Sequence, residues 1–250
     1  MWCGGVFHLH SRDDAPKEHD IHSHFSTQLT VGLHEIVSLR SGRDEPEKFA
    51  PGWLIGSGQP HLIECGGATL VILIDPLSQV GQRLCARLNG MVTAPLSKAE
   101  CEIVLAEFKH GRQGRWDVQS VRAAVDQVVY LLAPATIPAD RIDPRVRSAV
   151  ESLMLESDEN ISLADLATRA GLSESRFAHL FRRDVGLPMR QYRLALRMEK
   201  AVTQISLGRS PTDAAHEAGF SDYAHFCRIC RRMFGSVPSC LPDFEIEAVP

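Results

Sequence analysis

Two groups of residues in this 250-residue chain have types and spacing suited to chemistry. The first is histidine. His22 and His24 stand two apart, and His61 closes the stretch "PGWLIGSGQPH" (51–61). Alternation along an extended segment puts His22 and His24 on one face. Three imidazoles are enough first ligands for Zn²⁺, Fe²⁺ or Mn²⁺, with Gln28, water or an effector as a fourth. The same rings, hydrogen-bonded among polar groups, also make a metal-free effector pocket. An amide is a weaker ligand than a carboxylate, so Gln28 favours the metal-free pocket.

The second group is arginine-rich. Residues 144–240 hold 14 Lys and Arg against 11 Asp and Glu, and 13 of the 14 are Arg. Guanidinium forks match phosphate oxygens and guanine edges. Two polar faces lie in this segment. One holds Ser175, Ala178, His179 and Arg182; the other holds Tyr223, Ala224, Cys227, Arg228 and Arg231. Cys227 and Cys230 are three apart on a helical pattern with no second pair nearby, so they read as packing thiols.

The elements that must position the second group are legible from a repeat. "SLADLATRAGLSESRFAHLFRRDVG" starts at Ser162, and "SPTDAAHEAGFSDYAHFCRICRRMFG" starts at Ser210. Each opens with a serine cap and an aspartate three residues on, Asp165 or Asp213. Each then reads Ala-x-x-x-Gly, from Ala167 to Gly171 and from Ala215 to Gly219. The small Ala admits a close helix crossing, and the Gly ends the helix in a left-handed conformation. Ser173 and Ser221 are expected to cap the helices that follow. The spacing predicts two helix-turn-helix units, whose second helices fit a DNA major groove. Phe177, Leu180 and Phe181 form the buried stripe of one, and Phe226, Ile229 and Cys230 that of the other. Between the units, "LPMRQYRLALRMEKAVTQISLG" reads as one helix bounded by Pro188 and Gly208. Some twenty residues at ~1.5 Å rise span roughly 30 Å, close to the ~34 Å between major-groove sites one turn apart.

Residues 145–241 resemble the DNA-binding domain of the AraC/XylS family of bacterial transcription regulators. The stretch "AGFSDYAHFCRICRRMFGSVPS" carries the likeness through Gly219, Phe220, Ser221, Phe226, Arg228, Phe234, Gly235 and Pro238. Cys230 stands where the family usually has Phe, and Cys240–Leu241 where it usually has Tyr-Arg. The resemblance implies double-stranded promoter DNA as partner, RNA polymerase where the protein activates, and a homodimer. It gives the nine residues of the two polar faces the role of DNA contacts.

The first ~95 residues have no helical period. Short apolar runs such as "QLTVGLHEIVSL" and "TLVILI" are broken by Gly or Pro every 8–12 residues, which suggests a β-sandwich or small barrel. "HDIHSHFSTQ" (19–28) and "PGWLIGSGQPH" resemble the two motifs of a cupin barrel. In that likeness His22, His24 and His61 match the ligands, and Gln28 takes the place of the acid. From Ser97 the pattern turns helical, opening with a Ser97/Glu100 capping box. Val118, Val121, Val125, Val128 and Leu132 form a stripe, read equally as a dimer seam or as packing on the barrel. "PATIPADRIDP" (134–144) reads as a linker.

The whole gives an α+β multidomain chain. It comprises a cupin-like β-barrel/sandwich sensor (1–95), a helical dimerisation or linker segment (96–143), an all-α double helix-turn-helix domain (144–241) and an acidic tail (242–250). No apolar run approaches the ~20 residues of a membrane span, and "MWCGGVFHLH" lacks the pattern of a signal peptide. Seven scattered cysteines read as reduced thiols of a cytoplasmic protein. The function these features imply is sequence-specific transcription regulation controlled by a small molecule. The alternative is a metal-dependent cupin enzyme with a helical appendage.

Overall fold

The computed structural model describes residues 7–10, 20–109, 118–133, 142–155, 161–206 and 208–234. The acidic tail, most of the 134–144 linker, Gly235, Pro238 and Cys240–Leu241 lie outside the described residues.

Among the described residues, eight strands form the N-terminal half: β1 (Phe7–His10), β2 (Thr27–Gly32), β3 (Val37–Arg40), β4 (Lys48–Ala50), β5 (Gly52–Ile55), β6 (Leu62–Cys65), β7 (Thr69–Ile74) and β8 (Thr93–Leu96). They pair antiparallel into a five-stranded sheet, β1-β7-β2-β5-β8, and a three-stranded sheet, β4-β3-β6. This is the expected sandwich. Alternation sorts the faces of the central strand β2. Leu29 and Val31 join one apolar core with Leu54, Ile72 and Ile74. Gln28 and Thr30 fall on the other face, also buried. Along β5 the same alternation puts Trp53 and Ile55 in a second core with Val37 and Leu39.

A helix that the sequence reading missed interrupts this half. α1 (Gln79–Leu88) runs between β7 and β8, with the Ser78 side chain accepting from the Gly81 amide. Val80, Leu84 and Leu88 recur every four residues and pack on the first core. Their period was hidden among the turn residues of a stretch read as all β.

Helix α2 (Lys98–Lys109) packs on β2 of the five-stranded sheet, and α3 (Val118–Leu132) packs on α1 and α2. Ser97 and Glu100 form the expected reciprocal cap, with the Ser97 amide donating to Glu100 Oε2 at 2.8 Å and the Glu100 amide to Ser97 Oγ at 3.3 Å. Arg87 of α1 pairs with Glu100 at 2.6 Å and donates to the Leu132 carbonyl, tying the three helices together. Val125, Val128 and Leu132 are buried in the first core, where α3 packs on α1 and α2, and Val121 is also buried. From Val121 to Leu132 the α3 stripe thus serves intramolecular packing, the second of its two readings.

The helical half comprises α4 (Pro144–Leu155), α5 (Leu163–Arg169), α6 (Glu174–Val185), α7 (Met189–Ser206), α8 (Pro211–Glu217) and α9 (Tyr223–Phe234). Two separate cores form. One gathers Val146, Leu153, Leu166, Phe177, Phe181 and Tyr192; the other gathers Met198, Ala201, Ala215, Phe220, Phe226, Ile229 and Cys230. The long helix α7 supplies residues to both. Phe177, Phe181 and Phe226 are wholly buried, and truncating any one to Ala removes about 3–5 kcal/mol of packing. Leu77 and Phe25 of the N-terminal half pack into the first helical core, and Phe25 meets Tyr192 edge-on at 4.9 Å. The first helical unit therefore docks on the sandwich.

Candidate nucleic-acid interface

The two units are built alike. In the first, the Ser162 hydroxyl and the Asp165 carboxylate cap α5 reciprocally. Those bonds hold the Asp165 carboxyl below its ordinary range. In the second, Ser210 accepts from the Asp213 amide, with Pro211 at the first helical position. Both first helices end the same way. The Leu172 amide reaches back to the Ala167 carbonyl at 2.9 Å, and the Phe220 amide to Ala215 at 3.0 Å. Gly171 has φ +65° and Gly219 φ +82°, so each turn needs the left-handed conformation that the sequence predicts. Ala167 and Ala215 are buried at the helix crossings.

The turns differ by one residue. In the first unit Ser173 caps α6, as expected. In the second, Ser221 does not cap α9. The His225 amide bonds to Asp222 Oδ1 at 2.6 Å, and the Phe226 amide closes the first helical turn onto the Asp222 carbonyl. The cap moves because the turn after Gly219 carries one more residue. The same insertion explains why the buried stripe shifts from Phe177, Leu180 and Phe181 to Phe226, Ile229 and Cys230.

Opposite the buried stripes lie the nine residues proposed from sequence. On α6, Ser175, His179 and Arg182 are exposed and Ala178 is half-buried. On α9, Ala224, Arg228 and Arg231 are exposed, while Tyr223 and Cys227 are half-buried. The added turn residue puts Ala224, Cys227, Arg228 and Arg231 in register with Ser175, Ala178, His179 and Arg182. Tyr223 falls in register with Glu174, at the start of its helix.

Two arginines that the sequence reading did not single out hold α7 against both units. Arg193 donates to the Ile161 carbonyl at the entrance of the first, and Arg197 to the Gly219 carbonyl in the turn of the second. The 18 residues of α7 span about 27 Å at ~1.5 Å per residue. Nothing local in the sequence marks these two arginines among their neighbours, because their partners lie over 20 residues away.

In the sandwich the three histidines come together. His22 and His61 form a backbone bridge, with amide-to-carbonyl bonds of 3.0 and 2.8 Å. Ring centroids lie 4.4 Å apart for His22–His61, 5.1 Å for His24–His61 and 5.9 Å for His22–His24. Gln28 Oε1 lies 2.7 Å from His24 Nε2 and 3.1 Å from His61 Nε2, and Gln28 Nε2 donates to Thr30 Oγ1 at 2.7 Å. Burial lowers the pKa of both His24 and His61. For His61 the neighbouring imidazoles add to it, so its pKa lies well below the ordinary range.

His24 also lines a cavity of about 80 Å³ between the sandwich and α7. Its walls include Phe25, Asp75, Met154, Tyr192, Leu196 and Glu199. Sequence reading missed this cavity, although Glu199 gives a signal: it falls one helical turn past Leu196 and two past Tyr192, in an otherwise apolar stripe. Burial pushes the Glu199 carboxyl up to about 7, with Asp75 adding to the shift. Burial likewise pushes Asp75 up to about 6, against the Leu77 amide that donates to it. Both carboxyls bind protons more tightly folded than unfolded. Their contribution to stability is full below about pH 4 and is lost as pH rises through 6 to 7. The lowered histidines act in the opposite sense: their contribution is full above about pH 6.5 and is lost as pH falls below it. Glu199→Gln removes one of the two carboxyls and keeps the histidines. The variant should gain stability relative to the parent between about pH 5 and pH 8, on the order of 1–2 kcal/mol. Urea denaturation of both proteins at the two pH values measures this, and an equal difference at both would contradict it.

Comparison with known proteins agrees with the geometry of the helical half. A helix-turn-helix domain family model matches residues 166–241. The arabinose operon regulatory protein of Escherichia coli (strain K12) is 32% identical over 100 residues, covering 39% of this chain and 34% of that protein. The transcriptional activator NphR of a Rhodococcus species is 30% identical over 129 residues, covering 48% of this chain and 38% of its own length. The chain thus spans little more than a third of the curated relatives it matches. ToxT from Vibrio cholerae O395 superposes with a TM-score of 0.60 at 11% identity, over 96% of this chain and 97% of that one, a likeness of fold. Through residues 166–241 the chain carries a helix-turn-helix domain, and its helical half is similar in sequence to these transcription regulators.

Proposed function

We propose that the protein is a sequence-specific regulator of transcription that reads two adjacent major-groove sites on double-stranded promoter DNA. The reading helices are α6 and α9. The observation that carries this is their exposed polar faces, held by one helix of about 27 Å that is bonded to both units. The nine residues of those faces are the DNA contacts in this reading. Ser175, Ala178, His179 and Arg182 serve one groove; Tyr223, Ala224, Cys227, Arg228 and Arg231 serve the next. Contact with RNA polymerase follows if the protein activates, and a cytoplasmic location suits both partners. No helix among the described residues is long and apolar enough to cross a membrane.

The cavity between the sandwich and α7 is the place for a controlling small molecule. A ligand there touches the sensor half and the helix that spaces the two readers. The fold relative ToxT has been solved with an unsaturated fatty acid bound. Among the described residues that line it are two carboxyls, Asp75 and Glu199, and none is Lys or Arg, which favours a neutral or cationic apolar effector over a fatty acid. The enzyme alternative gains nothing from the curated relatives, which are named as regulators.

Selection from a pool of random duplex DNA by the full chain tests the proposal. A bipartite sequence should be enriched, and its affinity should fall steeply with salt as phosphate counterions are released. A folded protein that enriches no sequence at low salt would overturn it.

A further inference from the structure

Two carboxyls from different halves of the chain converge in the cavity between the sandwich and α7. Asp75 follows β7 in the sandwich, and Glu199 lies on α7. Asp75 is only 6% exposed. Its Oδ1 accepts from the Leu77 amide at 2.9 Å, and its carboxyl accepts no other hydrogen bond among the described residues. Glu199 makes no hydrogen bond or ion pair among the described residues. Both carboxyls act on Tyr192, a buried residue that lines the same cavity. The rest of the wall is largely apolar, with Leu73 of β7, Met154 of α4, Leu196 and Val202 of α7 and Met233 of α9. Carboxylates enclosed in such surroundings repel each other and lose the hydration they had in water. Among the described residues that line the cavity, none is Lys or Arg to offset them.

We infer that this cavity takes a short alkyl chain bearing a primary ammonium, which Asp75 and Glu199 bind together. The inference rests on the reading of the cavity as the effector site and narrows its ligand to one chemical class. A primary ammonium has three N–H donors. Asp75 Oδ2, a carboxylate oxygen of Glu199 and the Tyr192 hydroxyl are three oxygens able to accept them. A trimethylated nitrogen has no donor to give, and an anionic ligand meets two like charges. The alkyl part suits the apolar wall. At about 80 Å³ the cavity is smaller than the ~150 Å³ that admits benzene elsewhere, so a chain of about four carbons is the matching size. Bound there, the ammonium bridges the sandwich to α7, the helix that spaces the two readers. Met233 brings α9, the second reader, to the same ligand.

The test titrates the full-length chain, carrying ¹³C at its methionine methyls, with n-butylammonium chloride at about pH 8, where an alkylammonium with a pKa near the ~10.4 of Lys keeps its charge. The methyl resonances of Met154 and Met233 report on the cavity. Both should shift saturably, with half-saturation about tenfold or more below that of 1-butanol. Sodium butanoate and butyltrimethylammonium chloride should each bind about tenfold or more weakly than butylammonium. Glu199→Gln should raise the butylammonium half-saturation about tenfold or more and leave that of 1-butanol within about twofold. Asp75→Asn keeps an oxygen for the Leu77 amide and should do the same. If 1-butanol matches butylammonium, or both variants bind butylammonium as the parent does, the inference is overturned and the cavity stays a site for a neutral effector. If none of the four compounds shifts Met154 or Met233, the effector reading of the cavity falls and the inference with it. Butylammonium that binds as expected but leaves affinity for the selected duplex unchanged would uphold the inference and overturn control through this cavity.

Discussion

Gly219→Val should erase the part of a DNA footprint that lies under α9 and leave the part under α6. Gly219 sits at φ +82°, where a β-branched residue is strained by about 1–3 kcal/mol. Its carbonyl also accepts from Arg197, so a shifted turn releases the bond that ties the second unit to α7. That unit has a small core of its own and depends on the turn to seat Phe220 and Phe226. The sandwich and the first unit share no core with it, so they should stay folded. Footprinting together with tryptophan fluorescence checks both halves, since Trp53 lies in the sandwich core. A full footprint with Gly219→Val would show that the turn tolerates the side chain. Loss of the sandwich signal would show that the units are not independent.

Arg228→Ala and His179→Ala should each relax base preference in one cluster only. The two residues hold equivalent positions on α9 and α6 once the extra turn residue is counted, and both are exposed. A lost base-edge contact costs about 1–3 kcal/mol, or about 5- to 150-fold in affinity for the preferred sequence. Binding of full-length variants to single-base-substituted sites measures this. If either change weakens all sequences equally, that residue touches phosphate or supports the fold.

Much of the reading device is legible in the sequence because its determinants are local. Ser162 with Asp165, Ser210 with Asp213, and the glycines at 171 and 219 act within a few residues of themselves. Their roles therefore survive without knowledge of the rest of the chain. Asp222 shows the limit. It stands beside a serine equally suited to cap, and only the helix register decides between them. The α1 helix was hidden for a different reason, as its three apolar residues lie among glycine, proline and serine that equally mark turns. The meeting of His22 with His61 depends on pairing across 39 positions, which the barrel motifs suggested. The α3 stripe shows the converse case: its period gives a buried face, but only the fold shows that α1 and α2 cover it. The cavity between His24 and Glu199 forms where α7 and Met233 of α9 meet the sandwich, a contact between segments far apart in sequence.

Base-interference mapping of the full-length protein on its selected site tests the central claim most directly. Two clusters of essential bases should appear on one face of the duplex, about one helical turn or roughly 34 Å apart, with tolerant bases between them. Arg228→Ala should remove the cluster under α9, and His179→Ala the cluster under α6. A single continuous cluster, or two clusters that fade together in either variant, would contradict a protein that reads adjacent grooves with two separately built helices.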